Sequence, residues 1–303
     1  MTSQANHDAT VEFFRQNRFF GLPWDHVVFF QQGMMPAFGT DGKILLDWKD
    51  SLAMSPDGHG GSLAALRRSG ALDQMQILGI DYVSYFQVDN PLVRCLDPHF
   101  IGLHILKGSE ISSKSIPKAH DKERVGNFVL ARGKLTVIEY SDLPDALATA
   151  RNAEGSRRFN EGSIAIHILS RSFLERVTGE ELELPWHRAF KKVPYVDVNG
   201  KRQEPSEPNA IKLEQFVFDA IPLARQSIVV QTVRSEEFSP VKNAEGPDSP
   251  ETCRHDLVAR AARWLNQAGI TVGQDAATQQ PYPVEISPLR AIFPDDLRAP
   301  WQK

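Results

Sequence analysis

Several features that define common protein classes are scarce in this 303-residue chain. It has 2 cysteines, Cys95 and Cys253, which lie far apart in sequence. They favour reduced thiols in a cytosolic protein over a disulfide framework or a zinc site. No apolar run approaches the roughly 20 residues of a transmembrane helix, and the first residues lack the basic and apolar regions of a signal peptide. We therefore expect a cytoplasmic protein with no membrane partner.

An excess of charge of one sign is also missing. The chain has 34 Lys and Arg against 38 Asp and Glu, for a formal net charge of −4. Proteins that bind nucleic acid or anionic membranes show a clustered excess of Lys and Arg, so neither is expected as a partner. Any bound polyanion should be small and held locally. The 41% hydrophobic content is enough to fill a core.

The first third alternates between helical and strand patterns, which favours an α/β fold with a largely parallel sheet. We predict a helix over residues 9–20 and a short buried strand over residues 26–30. A helix is predicted to open at Gly60 and Gly61, a second helix from Leu72, and a strand over residues 81–90. Polar residues follow both strands, at the sheet edge where α/β proteins bind ligands.

Further along, the composition turns polar over residues 107–124. A hairpin is predicted around Arg132 and Gly133, a helix over residues 143–151 and a strand over residues 163–169, followed by a surface hairpin and loop over residues 191–210. A helix is predicted to start at Pro208 with Asn209 as its N-cap, then a strand over residues 226–234 and a helix over residues 251–268. We expect one domain over residues 1–270 and a tail over residues 271–303.

Two motifs follow predicted strands. In PDGHGG, from Pro56, a glycine-rich turn before a helix exposes backbone N–H groups to an anion or a ring carbonyl. The alternative is an ordinary turn at a helix N-terminus. In FQVDN, from Phe86, Asp89 closes a strand and could hold Mg²⁺ between phosphate oxygens, or simply form an Asx turn.

Two lysines suggest phosphate contacts. Lys212 falls in the first turn of its predicted helix, where a cation opposes the helix dipole and a bound anion would relieve it. Lys242 lies in the FSPVKN segment after a strand. The alternatives are a solvated lysine that leans away from the helix end and a plain surface loop.

Taken in order, QQGMMPAF, PDGHGG, FQVDN, PNAIKLEQFVFD and EFSPVKN resemble the eukaryotic-type UDP-sugar pyrophosphorylases, most closely the UDP-N-acetylhexosamine pyrophosphorylases. The resemblance extends to about Leu289. It implies a Rossmann-like, GT-A-like nucleotidyltransferase fold, a three-layer sandwich with a mixed central sheet. Family members begin with a strand and a glycine-rich L-x-x-G-x-G-T-R-L-G loop that this chain does not contain, so we expect the fold to be N-terminally truncated.

The resemblance also implies roles for individual residues. Those matching the catalytic set are Asp89, as the Mg²⁺ ligand, with Lys212 and Lys242 on the phosphates. Those matching the uracil site are Gln32, Gly58 and His59. Those matching the sugar site are Gly126, Glu139, Asn160 and Ser163. Ser163 stands where the family has asparagine, which leaves the identity of the hexose open, because serine makes fewer hydrogen bonds.

The implied reaction joins UTP and N-acetylglucosamine-1-phosphate into a UDP-sugar and pyrophosphate, with Mg²⁺ as cofactor. It uses no protein nucleophile, only positioning and charge neutralisation. Two alternatives remain at this point. The chain could be a non-catalytic UDP-sugar-binding fragment, since the missing loop supplies donors to the triphosphate, or a UTP–glucose-1-phosphate uridylyltransferase.

Overall fold

A computed structural model describes residues 1–179 and 184–298 of the chain. These residues form two compact units, each assembled from three segments. Unit 1 comprises residues 1–83, residues 130–137 and the described part of residues 169–227. Unit 2 comprises residues 84–129, residues 138–168 and the described residues from 228 onward. The predicted boundary at residue 270 remains a prediction.

Eight α-helices and four 3₁₀ helices occur in the described residues. The α-helices are α1 (His7–Gln16), α2 (Gly61–Arg68), α3 (Ala71–Ile77), α4 (Pro98–Leu106), α5 (Asp145–Ala148), α6 (Arg171–Gly179), α7 (Arg234–Glu237) and α8 (Pro250–Gln267). The 3₁₀ helices are Arg18–Gly21, Trp24–His26, Val217–Leu223 and Pro294–Arg298. Within the described ranges, none of the helices has the length and apolar content needed to cross a membrane.

The strands of the described residues form five sheets. They are β1 (Met34–Pro36), β2 (Phe38–Gly39), β3 (Leu46–Trp48), β4 (Ser51–Leu52), β5 (Met54–Pro56), β6 (Tyr82–Tyr85), β7 (Ile111–Pro117), β8 (Gly126–Ala131), β9 (Lys134–Ile138), β10 (Glu161–Ser170), β11 (His187–Lys191), β12 (Tyr195–Val196), β13 (Arg202–Gln203), β14 (Ala210–Glu214) and β15 (Ser227–Gln231). The largest sheet has the order β15-β7-β10-β8-β9, with β6 beside β10. The predicted α/β class with a mixed central sheet is confirmed.

Strand β7 lies within the polar stretch of residues 107–124, where no element was predicted from the sequence. Its residues are buried from Ile111 to Ile116. They can be polar because each side chain finds a partner in unit 2: Ser113 shares a hydrogen bond of 2.8 Å with His167 Nδ1, and the Ser115 hydroxyl donates to Glu161 at 2.6 Å. A buried polar group is tolerated when it is hydrogen-bonded.

Apolar contacts complete the core of unit 2. Its main cluster joins α4, β7, β10 and the segment after α7, through Phe100, Ile116, Val125, Ile164, Ile166, Ile168 and Phe238. A second cluster packs Trp264 of α8 against Ala291 and Leu297. The tail is therefore anchored to α8, which lies within the predicted domain.

Strand β14 replaces the helix predicted after Pro208. It pairs antiparallel with β11, with Ile211 opposite Phe190, and with β2 on its other side. Asn209 is no helix cap: its side-chain amide accepts from Val193 N–H at 2.8 Å and donates to Val193 C=O at 3.0 Å. Two neighbouring strands supply hydrogen bonds that an isolated helix would have to make itself, and tertiary pairing overrides the local pattern. The dipole argument for Lys212 is therefore wrong.

Other predictions have mixed outcomes. Residues 26–30 form no regular strand. His26 ends a 3₁₀ helix, and residues 27–30 belong to no regular element and are half-buried or exposed. Helix α2, helix α3 and the hairpin around Arg132 and Gly133 are confirmed, as are α8 and β15. Each confirmed element has a local signal, a glycine turn or a strongly periodic apolar pattern.

Candidate functional site: a glycine loop in unit 1 and a carboxylate–lysine pair in unit 2

The PDGHGG loop and the QQG segment lie side by side in unit 1. Strands β1 and β5 pair antiparallel, with Met34 opposite Pro56. Just before β1 and just after β5, Gly33 C=O accepts from Asp57 N–H at 3.0 Å. This bond holds together the two residues that flank it, Gln32 and Gly58. The structure thus brings together two of the residues predicted to bind uracil.

The loop's glycines are required by close backbone packing. Gly58 has φ of 86°, a left-handed conformation that favours glycine. A Cβ there would overlap the Gln215 carbonyl oxygen, and a Cβ on Gly60 would lie 2.6 Å from the Gln215 carbonyl carbon. Gly60 N–H donates to Gln215 C=O, and Gln215 N–H donates to Asp57 C=O, both at 2.8 Å. The segment after β14 thereby holds the glycine loop in place through these two backbone hydrogen bonds.

Asp57 is a buried carboxylate at the start of this loop. It is 7% exposed, and among the described residues its Oδ1 atom has no hydrogen-bond partner. Burial raises its pKa, while the charge of Arg68 and backbone N–H donation from Gly33 oppose the rise. A Cβ on Gly61 would overlap this carboxylate. Glycine at position 61 therefore gives Asp57 its place beside the first turn of α2.

His59 is held in one tautomer. Its Nδ1 accepts a hydrogen bond of 3.1 Å from Val217 N–H, and its ring stacks on Phe216 with centroids 5.1 Å apart. Because a backbone N–H is the donor, Nδ1 carries no proton and the neutral ring has its hydrogen on Nε2. Burial lowers the His59 pKa to about 4, and the charge of His187 contributes to the decrease. His59 is therefore a neutral Nε2 donor at pH 7.

Lys212 lies on β14, in the same unit as the loop. It is half-buried, and its Cα is opposite that of Ala189 in β11. The strand runs on through Glu214 into Gln215, which contacts Gly58 and Gly60. Lys212 thus belongs to the strand that supports the glycine loop.

Asp89 and Lys242 come together in unit 2. Val241 N–H donates to Asp89 C=O at 2.8 Å, so the residue before Lys242 is bonded to Asp89 itself. The Asp89 side chain is half-buried, and its negative charge, after burial, contributes to a raised pKa of Tyr85. Lys242 is exposed on its loop. Two of the three predicted catalytic residues are therefore backbone neighbours, although 153 positions would separate them on an extended chain by roughly 500 Å.

The predicted sugar residues collect around β8 and β10 of unit 2. Gly126 is the Cα partner of Ser163 in the antiparallel register. The Ser163 hydroxyl is buried and has no hydrogen-bond partner among the described residues. Glu139 follows β9 directly and is half-buried, and Asn160 C=O accepts from Lys118 N–H at 2.9 Å. The structure brings Gly126 and Ser163 into direct register, with Asn160 just before β10.

Several residues of these sites carried no signal in isolation. Lys118 is only 3% exposed and donates to Asn127 Oδ1 at 2.9 Å, next to Gly126. Burial lowers its pKa, with Arg157 adding to the effect and nearby carboxylates opposing it. Phe216, whose ring stacks on His59, lies just after β14, in the segment for which the sequence predicted a helix. The FVF sequence indicates an aromatic cluster. That this cluster packs against His59 becomes visible only once β14 is paired in its sheet.

Comparison with known proteins places these features in a family. The family model described as UTP–glucose-1-phosphate uridylyltransferase matches residues 1–283. The chain belongs to this family. A human UDP-N-acetylhexosamine pyrophosphorylase-like protein 1 is 43% identical over 272 residues, which cover 89% of this chain and 54% of the relative. UDP-N-acetylglucosamine diphosphorylase 2 of Arabidopsis thaliana is 38% identical, covering 99% of this chain and 59% of the relative.

Solved structures agree with the fold. The UDP-N-acetylglucosamine pyrophosphorylase of Trypanosoma brucei, solved with an inhibitor, has a TM-score of 0.77 and 30% identity, over 87% of this chain and 53% of that one. An Entamoeba histolytica protein assigned as a UDP-N-acetylglucosamine pyrophosphorylase reaches a TM-score of 0.87 at 36% identity, over 98% of this chain and 73% of that one. The predicted nucleotidyltransferase-like sandwich is confirmed. The chain spans somewhat more than half the length of the curated relatives it matches.

Proposed function

We propose that this uridylyltransferase-family protein joins UTP and N-acetylglucosamine-1-phosphate into UDP-N-acetylglucosamine and pyrophosphate. The observation that carries the proposal is the PDGHGG loop, whose glycines leave no room for side chains and whose His59 ring is fixed by the Val217 N–H group and by stacking on Phe216. Such a loop suits a planar base with carbonyl edges. The choice of N-acetylglucosamine as the sugar follows the names of the relatives.

In this reaction an oxygen of the sugar-1-phosphate attacks the α-phosphorus of UTP, and the bond to pyrophosphate breaks. No protein atom forms a covalent bond. Lys212 and Lys242 would bind phosphate oxygens, each charge-assisted contact contributing about 1.5–3 kcal/mol. Gln32, Gly58 and His59 would hold the uracil, so that the reactants are held in position for attack.

Asp89 fits a Mg²⁺ ion. Its carboxylate is half-buried, and the described residues offer it no hydrogen bond or ion pair. Within those residues no group of three metal-binding side chains occurs. Mg²⁺ is commonly held by one or two carboxylates together with substrate phosphates, which suits a single aspartate. Bound there, the ion would neutralise charge on the phosphates.

For the sugar, we propose that Gly126, Glu139, Asn160 and Ser163 line the binding site. The support is the buried Ser163 hydroxyl, which lacks a partner beside Gly126. An unpaired buried hydroxyl costs stability, and a sugar hydroxyl or acetamido group would satisfy it. Glucose-1-phosphate and N-acetylglucosamine-1-phosphate differ at one ring position, so turnover with each of them distinguishes the two reactions.

The decisive experiment measures pyrophosphate release by the whole chain with UTP, Mg²⁺ and either sugar-1-phosphate, beside a UDP-binding titration. Turnover with N-acetylglucosamine-1-phosphate supports the proposal, and preference for glucose-1-phosphate would replace the sugar. UDP binding without turnover would mean a non-catalytic UDP-sugar-binding chain. Absence of both would refute the proposal.

Asp89→Asn tests the metal assignment. Because the amide is nearly isosteric but uncharged, Mg²⁺-dependent turnover should fall by at least about 100-fold while uridine affinity changes little. Asp295→Asn, at an exposed aspartate of the same unit, is the control. Full activity of Asp89→Asn would contradict the assignment.

We also propose a cytoplasmic location. Both cysteines are free, Cys95 exposed and Cys253 buried, and an exposed thiol stays reduced in the cytosol. Fractionation of cells followed by immunodetection tests this, and recovery with secreted proteins would contradict it.

A further inference from the structure

Asp89 and Lys242 are held on irregular segments. Asp89 lies in a turn after β6, and Lys242 lies on an exposed loop that follows α7. Side chains on such segments are normally poorly positioned relative to each other. A carboxylate and an ammonium group that are to act on the same phosphates therefore need something that ties their backbones together.

The side chain of Asn90 supplies this tie. It is 4% exposed and hydrogen-bonded through both ends of its amide. Its Nδ2 donates to Glu237 C=O at 2.8 Å, and its Oδ1 accepts from Ser239 N–H at 3.1 Å. With the Val241 N–H bond to Asp89 C=O at 2.8 Å, three hydrogen bonds join the two segments. We call these three bonds the Asn90 clamp.

The clamp is anchored to β7, a strand of the largest sheet. Glu237 is fully buried and accepts from the Lys114 ammonium of β7 at 2.5 Å and 2.7 Å. Lys114 also binds Asp97, which caps the N-terminus of α4 by accepting from two backbone N–H groups. Arg94 forms a further ion pair with Glu237 at 3.1 Å. In a buried ion network of this kind, any partner that moves away leaves an uncompensated charge, so the network holds its geometry.

We propose that Asn90 is a positioning residue that sets the separation between the Asp89 carboxylate and the Lys242 ammonium group. It touches neither phosphate nor metal, and it acts through the backbones of its neighbours. The inference rests on the proposed function, in which those two groups share a pyrophosphate or triphosphate. It assigns the rigidity of this half of the phosphate site to one amide side chain.

Asn90→Asp tests the clamp with almost no change in shape. The Oδ1 acceptor for Ser239 N–H remains, but the donor becomes an oxygen that faces the Glu237 carbonyl. We expect the Mg²⁺ concentration needed for half-maximal pyrophosphate binding to rise about 10–100-fold, as is usual when a group supporting a metal ligand is lost. Calorimetric titrations of pyrophosphate at a series of Mg²⁺ concentrations measure it on the whole chain.

Asn209→Asp is the matched control, because Asn209 makes the same two-sided amide contact with the Val193 backbone in unit 1. Both variants should lower the melting temperature, but only Asn90→Asp should change the Mg²⁺ requirement. Amide exchange at Val241, whose N–H bonds Asp89 C=O across the clamp, provides a second measurement, independent of binding. It should become about tenfold faster in Asn90→Asp alone, because about 1.4 kcal/mol of hydrogen bonding is lost.

The outcomes distinguish a failure of the proposed function from a failure of the positioning role of Asn90. If the unaltered chain shows no Mg²⁺-dependent pyrophosphate binding, the proposed function fails and this inference fails with it. If that binding is present and Asn90→Asp leaves its Mg²⁺ requirement unchanged, only the inference is refuted. Unchanged exchange at Val241 would also refute it, whatever the binding.

Discussion

Acidification should destabilise the protein through His59, since the folded chain holds this ring neutral and the unfolded chain does not. The Nδ1 atom accepts from Val217 N–H, and the ring is stacked on Phe216. Protonation would put a hydrogen on Nδ1, remove the acceptor and place a charge in a buried site beside His187. Folding therefore opposes proton uptake by His59.

The size of the effect follows from two pKa values. A histidine in an unfolded chain has a pKa of about 6.5, and that of His59 in the folded protein is lowered to about 4. At pH 5 the unfolded histidine is almost fully protonated and the folded one is almost neutral. The difference amounts to about 2 kcal/mol of folding free energy. The sign is that of a depressed pKa: this stability is complete above pH 6.5 and is lost as the pH falls towards 4.

Two assays check the prediction. The ¹H resonance of His59 Cε1 should titrate near pH 4 in NMR spectra of the folded protein. Urea unfolding at pH 5 and pH 8 should give a free-energy difference that is smaller by about 2 kcal/mol in His59→Asn than in the unaltered protein. His255→Asn, at an exposed histidine, should retain the full difference.

A His59 resonance that titrates near pH 6.5 would refute the reasoning. So would equal pH dependence in His59→Asn and the unaltered protein. A loss of 2 kcal/mol is a large fraction of the roughly 5–15 kcal/mol that stabilises a typical domain, so the effect is well within reach of measurement.

Three further predictions concern single residues. Gly58→Ala should lower the free energy of unfolding by at least about 2 kcal/mol and abolish UDP binding in a calorimetric titration, because the added Cβ would overlap the backbone of Gln215. Gly42 has a similar φ but open space around it, so Gly42→Ala should lower the free energy of unfolding only by the backbone strain and leave UDP binding intact. Lys212→Ala should weaken the binding of UTP more than the binding of uridine, whereas Lys191→Ala on the neighbouring strand should not. Equal losses of affinity for both ligands in Lys212→Ala would indicate a structural role. Ser163→Ala should not lower the melting temperature, because the hydroxyl it removes is buried and unpaired, while the KM for the sugar-1-phosphate rises about 3–10-fold and that for UTP does not. A lower melting temperature with unchanged KM would contradict the sugar-site assignment.

The motifs and the elements with local signals were readable from the sequence. Glycine turns have few conformational solutions, so PDGHGG before α2 and Arg132-Gly133 between β8 and β9 predicted their structures. The long amphipathic pattern of α8 did the same. The order of the motifs indicated the family, because the order and spacing of motifs can be read from the sequence without knowledge of three-dimensional contacts.

Long-range partners account for what the sequence could not reveal. The polar sequence of β7 gives no strand signal because the groups that hydrogen-bond its side chains, such as His167 and Glu237, are distant in sequence. The residues of β14 read as a helix because an isolated segment shows no trace of β11 and β2 on its two sides. The low pKa of His59 and the Asn90 clamp likewise depend on segments far along the chain. Motif chemistry is local, whereas strand pairing, burial and pKa shifts arise from neighbours that only folding brings together.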